Sequence, residues 1–416
     1  MDLFAGSEGG AAAQLKGMGE AGLSTGQIFR VGDGKTEAVA FGFEPCGQLR
    51  VQDRDVEWAQ KVTSLGVTFD AGLNMDCHLA AMWDKARAAL ATISISAELA
   101  GVGWDDFVRV VPKRVATKAC FGVELVVVNQ GAPARLNAMQ RYWGAAILGA
   151  FPGDPGSNRM AGWKLMVELG WTCRLWQWAV IKAIMLDERA HLSTWAPLKA
   201  VLRHSRTVPG SWQEAVAALR ERYGVPPFAR DQARLAPSRA AVRERLKRYW
   251  KREVEPRLWA EAQEEVARER AKPTNALYNL LHPGSGPVAH VLEGHEWGPA
   301  TLQDYRRWAR MRVLLDRWPQ RCPVCGTEGA TAEHVLGEHA VPVAPLPSAD
   351  VPGGVLWYLR TDLRPADLRR NIRLVGQLLR NGSDWAWVRR AGAGAAGPQQ
   401  QPERQGAGAR LTEEDG

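Results

Sequence analysis

The chain has no apolar run approaching the eighteen or so residues that a membrane-spanning helix needs, and its opening Met1-Asp2 lacks the charge pattern of a signal peptide. A soluble intracellular protein of nucleus or cytoplasm, with no membrane partner, is the expectation. Cysteine is sparse. Of the six, Cys46, Cys77, Cys120 and Cys173 are scattered, which excludes a disulfide framework and fits reduced thiols. There is no P-loop, and no Ser-His-Asp or Cys-His arrangement suited to nucleophilic catalysis can be assembled. The acidic pair Asp105-Asp106 suits a helix N-cap better than a metal site. Tyr (6) and Phe (9) are few beside 18 Trp. Most of those indoles belong in the core, with a minority free to stack on bases.

What is present is ordinary globular material: 46% hydrophobic and 24% charged residues over 416 positions, enough for two or three domains. The excess of 53 Lys plus Arg over 45 Asp plus Glu gives +8. That favours polyanionic partners only if the cations cluster. They cluster twice. Residues 237–265 form a basic helical stretch with Arg239, Arg243, Arg245, Lys247, Arg248, Lys251 and Arg252 around Tyr249 and Trp250. Residues 301–318 form a second, with Arg306, Arg307, Arg310, Arg312 and Arg317 around Trp308. Each is either a solvated face or a surface that follows phosphates while aromatics stack on bases.

Periodicity predicts a mainly α protein with a small α/β N-terminal part: a helix over 9–21, short strands at 39–41 and 62–69, then helices over 76–94, 104–111, 133–148, 161–168 and 175–186. Residues 271–299 are loop-like, 362–380 are helical, and 391–416 are too poor in apolar side chains to fold.

Metal-ligand spacing occurs once with conviction, in CPVCGTEGATAEHVLGEH, residues 322–339. Cys322 and Cys325 on a tight turn, with His334 and His339 returning from the next element, suit a structural Zn²⁺. Gly326 lets the chain fold back under the sulfurs, because it enters positive φ without a Cβ clash. Thr331 can cap a short helix carrying Val335 and Leu336. Five residues of α-helix turn through about 500°, so His334 and His339 share a face only if the helix ends between them, at Gly337. A second pair, His290 and His295, has no Cys pair upstream and is at most a spare ligand set.

Several segments, in order, resemble the end of a reverse transcriptase of the non-LTR (LINE-like) retrotransposon kind. Residues 2–8 (DLFAGSE) look like the strand after that family's Asp-Asp box, followed by a helix. Gly22-Leu23, residues 34–41 (GKTEAVAF) and residues 65–70 (LGVTFD) match its next motifs. Residues 121–124, 136–141 and 147–149 look like its thumb, and the Cys/His cluster resembles its C-terminal knuckle, with His339 where Cys is usual. The resemblance covers roughly residues 1–190 and 320–340. It implies a palm remnant (1–75), a helical thumb-like region (76–200), a basic helical linker (201–318), a zinc knuckle (319–345), a C-terminal helix region (346–390) and a disordered tail (391–416). By the same resemblance Lys35 would face phosphate and Leu65-Gly66 would lie near the primer grip. As plain sequence, these are an exposed loop lysine and a β-turn.

Two-metal polymerisation needs carboxylates holding two ions, and Asp2 alone cannot supply them. The resemblance therefore implies a fragment truncated before the catalytic aspartates and inactive as a polymerase, with Mg²⁺ needed only if the missing palm were present. It implies RNA or DNA as partner, possibly with the rest of a retroelement protein. The alternatives are a helical interaction scaffold stapled by zinc, or a non-functional translated remnant.

Overall fold

Five glycines in seventeen residues do not prevent the first helix, α1 (Glu8–Ser24), because Ser7 caps it by accepting from the Gly10 amide at 3.1 Å. Leu15 packs with Leu49, Val51 and Val56 of a short hairpin, β1 (Leu49–Val51) with β2 (Arg54–Val56), forming a small separate core. A second antiparallel hairpin, β3 (Lys61–Ser64) with β4 (Val67–Asp70), closes through Leu65-Gly66, both at positive φ. In this computed structural model the description covers residues 5–31, 36–41, 44–73, 75–99, 102, 104–150, 160–231, 236, 238–284, 288, 302–314, 322, 324–328, 330–344, 346–348 and 354–381. Residues 39–41 form no strand; Ala38 makes only an isolated bridge to Trp58.

The rest of the described chain is mainly helical. The elements are α2 (Asp76–Leu99), α3 (Trp104–Ala119), a 3₁₀ helix (Val123–Val128), α4 (Ala132–Ile147), α5 (Gly162–Leu169), α6 (Leu175–Leu192), α7 (Ala196–Ser205) and α8 (Trp212–Arg222). They are followed by α9 (Arg239–Tyr249), α10 (Glu255–Ala271), α11 (Ala276–Leu281), α12 (Leu302–Val313) and, after the Cys/His segment, α13 (Pro365–Asn381). Between α9 and α10 the backbone passes through a π segment, Trp250–Val254, in which the Glu255 amide donates to the Trp250 carbonyl. Pro256, at the start of α10, has no N–H to give the preceding turn, and the wider turn absorbs that loss.

Helix α6 is buried on nearly every side, with Ala179, Val180, Ile181, Ala183 and Ile184 all at 1% exposure or less. One continuous cluster of buried apolar side chains runs from Val67 to Leu379. The segments distinguished in the sequence as thumb-like region, basic linker, knuckle and C-terminal helix therefore share a core. Helix α12 crosses α13 at Gly376, where a Cβ would lie 2.5 Å from the Asp304 Cα. Only glycine permits that approach.

Charge is buried in two networks. Arg312, fully buried, donates from Nε to Glu168 Oε1 at 3.0 Å and from Nη1 to the carbonyls of Leu281 and Leu359. The Tyr278 hydroxyl adds a 2.8 Å hydrogen bond to the same carboxylate oxygen, and burial holds its ionisation well above the usual range. In the second network Arg220 and Arg230 grip Glu188 at 2.7 and 2.6 Å and reach Asp187 at 3.2 and 3.3 Å. These pairs tie α6 to α8 and to the loop after it.

Among the described residues no helix is long and apolar enough to cross a membrane.

Candidate metal centre

The turn before the first histidine is set by backbone hydrogen bonds. The Cys322 amide donates to the Thr327 carbonyl at 2.7 Å and the Gly326 amide to the Cys322 carbonyl at 2.9 Å. This closure needs Gly326 at φ +80, as its place after the second cysteine predicts. The Val324 amide points at Cys322 Sγ at 3.4 Å, an N–H···S contact that stabilises negative charge on sulfur. Thr331 caps the helix that follows, its Oγ1 accepting from the His334 amide at 3.2 Å.

That helix does not end at Gly337. After one α turn, Ala332–His334, the backbone continues as a π segment, Val335–Ala340, and the Val341 amide reaches the Leu336 carbonyl five residues back at 3.0 Å. A π turn holds one more residue than an α turn, so positions five apart return to the same side. The expected break is thus replaced by a change of helix type. His334 and His339 meet with ring centroids 5.4 Å apart.

All four donor atoms converge. Cys325 Sγ is 3.3 Å from His334 Nε2, Cys322 Sγ is 3.5 Å from His339 Nε2, and the four lie within 4.8 Å of one another. Such a cluster can hold a metal ion. The two thiols differ electrostatically. Hydrogen bonding from the Thr327 hydroxyl, then from its amide and from His334, draws the exposed Cys325 thiol down to about 5, whereas burial pushes Cys322 up. A thiol held that low is mostly thiolate at neutral pH. Thr327 was not among the residues singled out in the sequence. Its only signal is a hydroxyl two positions after Cys325.

The cationic residues part company. Arg243, Lys247, Arg248, Lys251 and Arg252 are exposed along α9 and its π extension, and Arg245 is half-buried. On α12 the expectation of a phosphate-facing surface is corrected. Arg306 is 1% exposed and Arg310 8%. Arg306 Nε donates to the Ile147 carbonyl at 3.0 Å, and Arg310 donates to the Leu148 carbonyl at 3.2 and 2.9 Å. Arg307, with its side chain 17% exposed, lies 3.8 Å from Asp304. Arg306 and Arg310 therefore cap the C-terminal end of α4, where carbonyls lack amide partners and a cation is favoured.

The interleaved aromatics are also structural. Trp308 is fully buried and its Nε1 donates to the Tyr358 carbonyl, while the Tyr249 hydroxyl donates to the Pro226 carbonyl at 2.7 Å. Trp250 is half-buried against the core.

Asp2, Lys35, Arg317, the His290/His295 pair and the 391–416 tail lie outside the described residues. No family model matches this chain, and neither a curated protein nor a solved structure matches it.

Proposed function

We propose that Cys322, Cys325, His334 and His339 hold a structural zinc ion in a helical protein that binds RNA or DNA without sequence preference, derived from the post-palm part of a retroelement reverse transcriptase. The observation that carries the metal reading is the spacing between unlike donors. Zinc bonds of about 2.3 Å to sulfur and 2.0–2.1 Å to nitrogen, at a tetrahedral angle, put S and N about 3.6 Å apart. The two Cys–His distances, 3.5 and 3.3 Å, are close to that edge. With four protein ligands the coordination shell is closed, so the ion would stabilise rather than react. The order of sequence motifs supports the retroelement origin, and the exposed cations of α9 support the nucleic-acid contact.

Metal analysis of the purified chain tests the centre. Wild type should carry one zinc per chain and Cys322→Ser far less, and equal zinc in both would sink the proposal. Cobalt substitution should give the absorption of a tetrahedral site with two thiolates.

A second reading is favoured by one observation: the burial of Arg306, Arg310 and Trp308 turns half of the expected basic surface into core. On this reading the chain is a zinc-stapled interaction scaffold with no nucleic-acid role. Salt decides between them, since binding to single-stranded RNA that is absent, or flat from low to moderate salt, would favour the scaffold.

A further inference from the structure

We infer that the outer face of α13 carries a phosphate-binding site built from Arg369, Arg370 and Arg373. The three line a surface cavity of about 280 Å³ together with Ala366. Relative to Ala366 they stand three, four and seven positions along the helix, so all four share one face. That face is fixed outward by the opposite one, where Leu368, Ile372, Val375 and Leu379 are buried.

The guanidinium groups are partly organised before any ligand arrives. Arg370 lies 5.4 Å from the ring centroid of Trp357 and 3.7 Å from the Asp367 carboxylate, and a side chain already held loses less freedom on binding. Arg373 stands half-buried at the same cavity. Its Nε is buried with no hydrogen-bond acceptor among the described residues, a costly state for a charged donor. With Nε covered, the Nη1 and Nη2 groups are the donors that Arg373 can offer to an oxyanion in the cavity. Among the described residues no acidic side chain lines the cavity. Asp367, one residue from Ala366, is engaged by Arg364 at 3.1 Å as well as by Arg370. Planar guanidinium forks match phosphate oxygens bidentately, which ammonium groups do not. Ala366 matters because a longer side chain there would fill the space.

The site adjoins the Cys/His cluster, because the π segment carrying His339 packs against α13. The shared ligand chemistry is a phosphate oxyanion, whether in a nucleic-acid backbone or in a free polyphosphate.

Calorimetry of the full chain with inorganic pyrophosphate, and fluorescence anisotropy with a labelled oligothymidylate, separate these sources. Pyrophosphate should bind the wild type, and the Arg369→Gln/Arg373→Gln variant should bind it at least roughly tenfold more weakly, the loss expected of one charge-assisted hydrogen bond. Arg373→Lys, which keeps charge and fold but lacks the fork, should fall in between. A parallel loss of oligothymidylate affinity identifies the nucleic-acid backbone as the source, and loss for pyrophosphate alone identifies a free polyphosphate. Charge reversal on α9 should leave pyrophosphate binding unchanged, which separates this site from the α9 proposal. The inference is overturned if the wild type does not bind pyrophosphate, or if the Gln variant and Arg373→Lys both bind it as the wild type does.

Discussion

Helices α9 and α12 look alike as sequence, each a run of arginines with aromatics between them, yet α9 shows its cations to solvent and α12 carries its arginines into the protein's core. Acceptors make the difference. Around α12 stand the carbonyls of Ile147, Leu148, Leu281 and Leu359 and the carboxylate of Glu168. Burying an arginine costs less where such acceptors take most of its donors. Beside α9 the described neighbours engage Tyr249 and leave Arg243 and Lys247 at the surface. The count of arginines in a helix therefore says little about nucleic acid until their acceptors are known.

The largest effect should come from breaking the buried side of this pair. Arg312→Met leaves the Glu168 carboxylate without its cation at 1% exposure, a loss of about 3–5 kcal/mol visible as a lower urea midpoint. Arg312→Met with Glu168→Leu should recover much of it, because the unpaired charge is gone. Arg310→Ala removes two hydrogen bonds to one carbonyl and should cost about 2 kcal/mol.

On the exposed side, reversing Arg243, Lys247 and Lys251 to Glu should change stability by no more than about 0.5 kcal/mol per site. If α9 follows phosphates, the plot of log affinity against log salt for single-stranded RNA becomes shallower by about two units. An unchanged slope leaves α9 as a merely solvated face.

The smallest effect is a pH dependence away from both helices. His78 is buried, with Nδ1 accepting from the Thr68 amide at 3.2 Å and Nε2 2.9 Å from the Phe121 carbonyl. The ring is thus the Nε2–H tautomer, and burial lowers its ionisation below the ordinary 6.5. Between its lowered value and 6.5 the unfolded chain binds a proton that the folded chain does not. Stability should therefore be full above 6.5, decline as the pH falls below it and level off beneath the folded value. His78→Gln should flatten that decline in melts run across this range.

Much of the helical layout was legible. Helices α4, α5 and α6 start within a residue of their predicted positions, because apolar periodicity there coincides with burial on a core face. Helix α3 was expected to end at residue 111, one before Pro112, but continues to Ala119 because packing against α2 outweighs the lost amide. Helix α8 was missed although Ser211 and Glu214 form a capping signature, with Ser211 Oγ accepting from the Glu214 amide and Glu214 accepting from the Gly210 amide. The β1–β2 hairpin was missed because each strand has only three residues, too few to show alternation. In the Cys/His cluster the convergence of the four side chains, the turn at Gly326 and the cap at Thr331 were readable from spacing and cap chemistry. The helix type joining the two histidines was not, since a π turn has no composition of its own.

That turn bears on what lengths the motif can take. The stretch from His334 to His339 holds one residue more than an α-helix would need, as if a single residue had been inserted and absorbed as a bulge. Deleting Gly337 would shorten the interval to four, about 400° of α-helix, and would again place both imidazoles on one side. Insertion or loss of a single residue thus exchanges one helix geometry for the other at this point. Chains with four intervening residues and chains with three can therefore present the same donors, provided the backbone changes its winding with its length.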